Sequence, residues 1–284
     1  MRRSYRAEAI ALILAMAGIA ALCAWLLWGP GGIWIALGAI IIGYLVVPRL
    51  APAMTLQLFG AIPMAPDLWP DETARVHALA ARAGLPAAPA LYRLPTDVGM
   101  AFSTGTTDTP VIAVSNGALQ RMSAAALTGL YAHEIAHLAS GDIALRTISE
   151  LMGRFTRVLS LVGLFAALWL SVTGDSQLPT GGILIFAFAP TAIALLQLAL
   201  SRNREYEADA FAVTLTGDTV GLIAALRQLD DEQHSLLRRL FWPHARGEAP
   251  IWLRTHPRTT DRIARLHALR PQDFAPPRGH DGGA

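Results

Sequence analysis

Uncharged runs long enough to cross a bilayer constrain this chain more than any other feature. Residues 9–28 carry no charge for twenty positions, and a helix rising about 1.5 Å per residue crosses a hydrocarbon core of roughly 30 Å in that length. Residues 29–47 follow with nineteen more, opening on Gly-Pro-Gly-Gly, a composition that makes a tight turn between two antiparallel spans. A cleaved signal peptide is the alternative for the first run, since Arg2, Arg3 and Arg6 precede it. Signal-peptide apolar regions are shorter, however, at about 7–15 residues, and here a second run adjoins. Another pair lies at residues 158–174 and 181–200, with 173–179 as its turn. The seventeen residues of its first member also suit a helix buried in a large soluble core, so a buried helical hairpin competes there with a second membrane hairpin. Two transmembrane hairpins, about four helices, are the expectation.

Composition agrees. Of 284 residues, 53% are hydrophobic and 15% charged, with a mean hydropathy of +0.40, whereas soluble domains carry about 25% charge. A disordered chain and a purely soluble enzyme are both excluded. The net charge is +2 and all 23 basic residues are arginine, which gives no broad field for nucleic acid. The single cysteine, Cys23, lies in the first apolar run, so any metal must be held by histidine and carboxylate. Arginine also sets the orientation. Arg2, Arg3 and Arg6 precede the first run, Arg49, Arg146, Arg154 and Arg157 lie between the pairs, Arg202 and Arg204 follow the last, and the turns have none. The positive-inside rule then places both termini and residues 48–157 in the cytoplasm, with only the turns outside.

Pro48, Pro52, Pro63, Pro66 and Pro70 punctuate the exit from the first hairpin, predicting that no single helix runs through it. Asp71 is placed to cap a helix reaching about Arg82 and stopped by Gly84 and Pro86, with Val76, Leu79, Ala80 and Ala83 on its buried stripe. Residues 91–94, 100–103 and 111–115 are short runs of β-formers, which predict a small antiparallel sheet. Ser123 before Ala-Ala-Ala-Leu starts a helix that stops at Gly141. Past the second apolar pair, residues 202–215 continue as helix, Asp218 caps another reaching Leu240, and residues 258–269 form a last amphipathic helix. The tail lacks the apolar content to fold. The expected divisions are therefore an amino-terminal transmembrane hairpin (1–48), a first polar part (49–157), a second hairpin (158–201), a second polar part (202–270) and a disordered tail (271–284). The fold class is mainly α with a small sheet.

His133-Glu134-Ile135-Ala136-His137 falls inside the Ser123 helix. Residues four apart face one side, so two imidazoles reach one ion while Glu134 flanks it. Catalytic zinc takes three protein ligands and a water, which leaves this pair one ligand short. In Glu205-Tyr206-Glu207-Ala208-Asp209, Glu205 and Asp209 share a helix face and Glu207 points away. Glu205 is the expected third ligand, with Glu207 as the alternative. Asp209 and Asp142 are placed to accept the second ring proton of a ligating histidine, although Asp142 serves equally as a turn residue. Zinc in such a site, one ion per chain, lowers the pKa of bound water to about 7, and Glu134 takes its proton as the water attacks a polarised carbonyl.

These residues resemble the HtpX family of membrane-bound zinc metalloproteases, relatives of the CAAX prenyl proteases. The matching segments, in order, are Ala-Phe-Ser-Thr-Gly at 101–105, Val-Ile-Ala-Val-Ser-Asn-Gly-Ala-Leu at 111–119, HEIAH followed by Gly141-Asp142, Glu-Tyr-Glu-Ala-Asp at 205–209, and Thr255-His256-Pro257 with Arg262-Ile263. The resemblance implies His133, His137 and Glu205 as zinc ligands, Glu134 as base, Asp209 behind the ligands, and His256 stabilising the oxyanion with Arg262 in support. It also implies that substrate lies along an edge strand that includes Met100, Ala101 and Phe102. Met100 stands where the family usually has asparagine, and a methionine side chain offers a peptide carbonyl no donor. Backbone pairing along the strand is then what remains to hold substrate.

The function so implied is an endopeptidase of a bacterial-type inner membrane, multi-pass, with its catalytic domain in the cytoplasm. Its substrates would be polypeptides, misfolded or damaged membrane proteins first among them. A narrower processing enzyme of the prenyl-protease type is one alternative. The other is a silent scaffold in which zinc only clamps the polar part, but structural zinc sites are usually closed by four protein ligands, and Glu134 would have no purpose there.

Overall fold

The computed structural model describes residues 2–173, 180–241 and 258–268, and the side chains of 2–6, 44, 47–51, 142–145 and 233–241 lie outside that description. The tail at 271–284 and the turn at 174–179 therefore also lie outside the described residues. In chain order the elements are α1 (Arg2–Trp28), α2 (Pro30–Leu58), β1 (Ile62–Pro63), α3 (Pro70–Ala83), β2 (Ala90–Leu94), β3 (Ala101–Gly105), β4 (Pro110–Ser115), α4 (Asn116–Arg121), α5 (Ala124–Ser140), α6 (Asp142–Thr173), α7 (Thr180–Thr216), α8 (Thr219–Phe241) and α9 (Thr259–Ala268). The described residues are mainly helical, with one small sheet among them. It divides into one unit comprising Met1–Leu50 and Ile143–Asn203 and another comprising Ala51–Asp142 and Arg204–Ala284.

The first unit is built on apolar helices. Ala7–Trp28, Arg146–Thr173 and Thr180–Thr216 are long and apolar enough to cross a membrane, and Pro30–Gly43 of α2 is a shorter apolar stretch among the described residues. Met16, Cys23, Leu159, Phe186 and Ile193 fill its interior, while Leu14, Trp34, Phe165, Trp169 and Phe188 face outward. Apolar side chains on both sides are what a lipid solvent permits and water does not. Along α6 the residues Ser149, Gly153, Thr156, Ser160 and Gly163 recur every three or four positions. Small residues at that spacing let helices approach closely, and the Phe186 ring lies against Gly163.

Two expectations about this part of the chain are corrected. The helix α2 runs through Pro48 and Pro52 to Leu58 instead of breaking at the prolines. Each proline removes one amide from the ladder, and because the two are four residues apart both gaps fall on one side of the helix while the remaining bonds persist. Asp71 is not the cap of α3. Pro70 occupies the first helical position, where a missing N–H costs nothing, and Asp71 and Glu72 sit in the first turn.

In the second unit the sheet order is β1-β2-β4-β3. Two of its pairings are antiparallel, β1 with β2 and β3 with β4, but β2 and β4 are parallel. The sheet is therefore mixed, not antiparallel as expected. The physical reason is in β4, where Ile112, Ala113 and Val114 are all fully buried. Such an uninterrupted apolar run belongs to a central strand. With β3 on its outer side, β4 meets β2 in the same direction. The Ser123 hydroxyl accepts a hydrogen bond from the Ala126 amide at 3.2 Å and starts α5, and Gly141, in the left-handed region at φ 71°, ends it. At Gly129, α5 passes so close to α8 that a Cβ would stand 2.8 Å from the Leu222 backbone. At α8 the Asp218 carboxylate accepts from the Gly221 amide at 2.9 Å, the expected cap. Leu222, Ala225 and Leu226 of α8 and Leu130, Ile135 and Leu138 of α5 are buried together in this core.

Candidate metal centre

His133 and His137 stand one turn apart on α5, the best-buried helix of the second unit. Their rings meet edge to face with centroids 4.7 Å apart, and the two Nε2 atoms are separated by 3.2 Å. Glu205, on the polar continuation of α7, brings Oε2 to 3.4 Å from Nε2 of His133 and Oε1 to 3.6 Å from Nε2 of His137. Among the described residues these three form the group able to hold a metal ion. Glu207, the alternative to Glu205, is not in it. All three are buried, as is Glu134 between the histidines at 8% exposed.

Around this group lies a second layer of charge. Asp209, one turn beyond Glu205, places Oδ1 3.0 Å from Nδ1 of His133. Arg262 of α9 donates to both oxygens of Asp209, from Nε at 2.7 Å and from Nη2 at 2.6 Å, and its Nη1 is 3.1 Å from Oε2 of Glu205. Arg265, one turn before the end of α9, lies over the Tyr206 ring at 4.2 Å. The last helix is thus fastened to α7 directly behind the candidate ligands. Burial opposes the charge on Arg262, but Asp209, Glu205 and Glu134 more than offset it and hold the guanidinium firmly protonated.

The donor set fits a divalent ion on two counts. The Asp209 carboxylate can only accept, so Nδ1 of His133 carries a hydrogen and Nε2 is the ring nitrogen turned toward Glu205. A ring nitrogen facing a carboxylate across 3.4 Å in a buried site needs positive charge between them, a proton in the metal-free protein or a metal cation in its place. The edges of a tetrahedron with metal–ligand bonds of about 2.0–2.2 Å are roughly 3.3–3.6 Å, the size of the separations found, with each histidine facing a different oxygen of Glu205. Charge is the other count. The three carboxylates of Glu134, Glu205 and Asp209 surround one guanidinium and leave two negative charges, the complement of a divalent cation.

Of the remaining candidate residues, His256 lies outside the described residues, as does the Asp142 side chain at the start of α6. Met100, Ala101 and Phe102 lie at the edge strand β3. The Met100 backbone is already used, because its carbonyl accepts from the Ser115 amide at 2.9 Å and its amide donates to the Ser115 hydroxyl at 3.0 Å. Hydrogen-bonded pairs alternate in an antiparallel ladder, so Phe102, opposite Ala113, also bonds inward to β4. Ala101 and Ser103 turn their N–H and C=O groups toward the open edge. Spacing did not reveal that Arg262 touches both acids, because the partners lie 53 and 57 positions apart in sequence.

Residues 70–270 match the profile of Peptidase family M48. The chain is 34% identical over 242 residues to a "Protease HtpX homolog" of Desulfatibacillum aliphaticivorans, covering 80% of this chain and 73% of that protein. It is 33% identical over 259 residues to another from Acaryochloris marina (87% and 88%), and 31% identical over 235 residues to "Protease HtpX" of Legionella pneumophila (76% and 81%). Among solved structures, Ste24p of S. mikatae aligns with a TM-score of 0.57 at 19% identity, covering 92% of this chain and 64% of that one. At that identity the likeness concerns the fold alone, and this chain spans just under two thirds of the Ste24p length.

Proposed function

Because the chain belongs to peptidase family M48, we propose that it is a zinc endopeptidase in which His133, His137 and Glu205 hold the ion and Glu134 is the general base. The observation that carries this reading is the set of three ligand-atom separations, 3.2, 3.4 and 3.6 Å, with Glu134 on the same buried helix turn. Zinc bound there supplies Lewis acidity toward a carbonyl and toward water. Asp209 fixes the tautomer and orientation of His133 through Nδ1, and Arg262 holds Asp209 and Glu205 in register from behind. Glu134 takes the proton of the attacking water and passes it to the leaving amine. His256, on the strength of the family resemblance, donates to the oxyanion.

Substrate is an extended polypeptide that pairs with the outward N–H and C=O groups of Ala101 and Ser103. Recognition of that kind reads backbone and tolerates many side chains, but it requires a segment free of its own secondary structure. Misfolded membrane proteins meet that requirement, which supports a quality-control role. The distribution of arginine supports a cytoplasmic catalytic unit in a bacterial-type plasma membrane.

Cleavage of casein or an unfolded membrane substrate in detergent, with zinc measured in the same samples, tests the reading. Glu134→Gln should keep zinc and lose about 10²–10⁴-fold in turnover, and Glu205→Ala should lose zinc. Full zinc retention in Glu205→Ala would refute the ligand assignment. Zinc binding without any cleavage by the wild type would favour the scaffold.

A further inference from the structure

The segment that leads into β3 is gripped at Thr96, Asp97 and Gly99 by groups outside the sheet. The Thr96 carbonyl accepts from the Gly117 amide at 3.1 Å, and the Asp97 carbonyl accepts from Nη2 of Arg121. The Gly99 amide donates to the Glu232 carboxylate. That same carboxylate takes a fork from Arg121, with Nε donating to Oε1 at 3.2 Å and Nη2 to Oε2 at 2.8 Å. Planar two-point pairing of this kind fixes geometry as well as adding strength. Gly117 shows how tight the fit is, since a Cβ there would stand 2.0 Å from the Asp97 carbonyl. Nothing in the zinc chemistry uses Arg121 or Glu232.

Glu232 is also mechanically tied to the metal helix. It stands on α8, ten residues beyond Leu222, where α8 passes against Gly129 of α5 with no room for a Cβ. Ten helical residues make a strut of about 15 Å. Its near end is set against the helix bearing His133 and His137, and its far end holds the amide of Gly99, two residues before the first outward-facing strand position.

We propose that Glu232, locked by Arg121, is a positioning residue that fixes the edge strand β3 relative to the metal helix, so that substrate paired on Ala101 and Ser103 presents its scissile bond in register. This rests on the endopeptidase reading above. The consequence is specific to length. A peptide that spans the scissile bond alone does not need the strand, whereas one long enough to pair along β3 does.

The test uses the full-length, zinc-loaded protein in detergent, with Glu232→Ala and Arg121→Gln as separate variants so that a folding failure in one leaves the other. Binding of a long and a short peptide is measured by fluorescence anisotropy in the non-cleaving Glu134→Gln background. Hydrogen exchange at residues 96–103 and 124–140 is followed by mass spectrometry. Both variants should weaken the long peptide about tenfold, or ~1.4 kcal/mol, leave the short peptide within about twofold, and speed exchange at 96–103 only. Arg121→Lys, which keeps the charge but not the fork, should fall between. The idea is overturned if long-peptide affinity is unchanged, or if long and short peptides weaken alike with zinc lost. Failure of the endopeptidase reading is distinguishable, because it appears as absent cleavage by the wild type whatever the exchange pattern of the variants.

Discussion

His133 is held at both ring nitrogens, one facing the candidate ion and the other facing Asp209 at 3.0 Å. In the metal-free protein burial opposes a charge on this imidazole, but hydrogen bonds to Asp209 and then Glu205 outweigh it and raise its pKa to about 9. An imidazole in an unfolded chain titrates near 6.5. The stabilisation is therefore complete below about pH 6.5 and is lost as pH rises through about 9. The melting temperature of chelator-stripped protein should fall across that window, and the fall should shrink in Asp209→Asn. Equal slopes in the two proteins would show that Asp209 is not the cause. With metal present, Asp209→Asn should weaken zinc affinity about 10–100-fold, measured by competition with a chromophoric chelator. At this scale the histidine pair and Glu134 were legible because helical spacing alone places them together. Glu205 was separable from Glu207 only through its shared face with Asp209. Arg262 contributes the charge that balances the acids, and no local spacing announces a partner on another helix.

Helix α5 shows what an element adds. Its start at Ser123 and its stop at Gly141 follow from chemistry confined to a few neighbouring residues, and both were readable in the sequence. Its closeness to α8 was not. Gly129 reads as a mild defect in a helix, yet its missing side chain is what lets α8 pass with Leu222 backbone atoms at Cβ contact distance. Gly129→Ala should part the two helices and cost about 1–3 kcal/mol by overpacking, seen as a lower melting temperature with weakened zinc retention. An unchanged melting temperature would mean that the helices separate without cost. The sheet teaches the same lesson. Its β-forming runs at 91–94, 100–103 and 111–115 were evident, but the side of β4 on which β3 lies decides whether β4 pairs directly with β2, and that is settled by burial of β4 among its neighbours.

For the whole molecule, the apolar helices make it a multi-pass membrane protein, and the orientation proposed from arginine is open to direct test. Cys23 is fully buried in α1, so cysteines introduced elsewhere can be read against a silent background. A thiol at Gly31, in the first turn, should react with a membrane-impermeant maleimide on intact cells. One at Asp108, in the β3–β4 turn, should react only after permeabilisation. The reverse pattern would invert the topology. Membrane residence, the metal-binding pair, both ends of α5 and the start of α8 are determined by the sequence itself, because they depend on run length, on a period of 3.6 residues and on capping groups a few positions away. The meeting of Glu205 with the imidazoles, the fork of Arg262, the parallel strand pair and the grip of Glu232 on the edge strand were decided by tertiary structure alone. Each joins groups separated by tens to more than a hundred positions, whose partners are chosen by how whole elements pack and by the need to balance charge once water is gone.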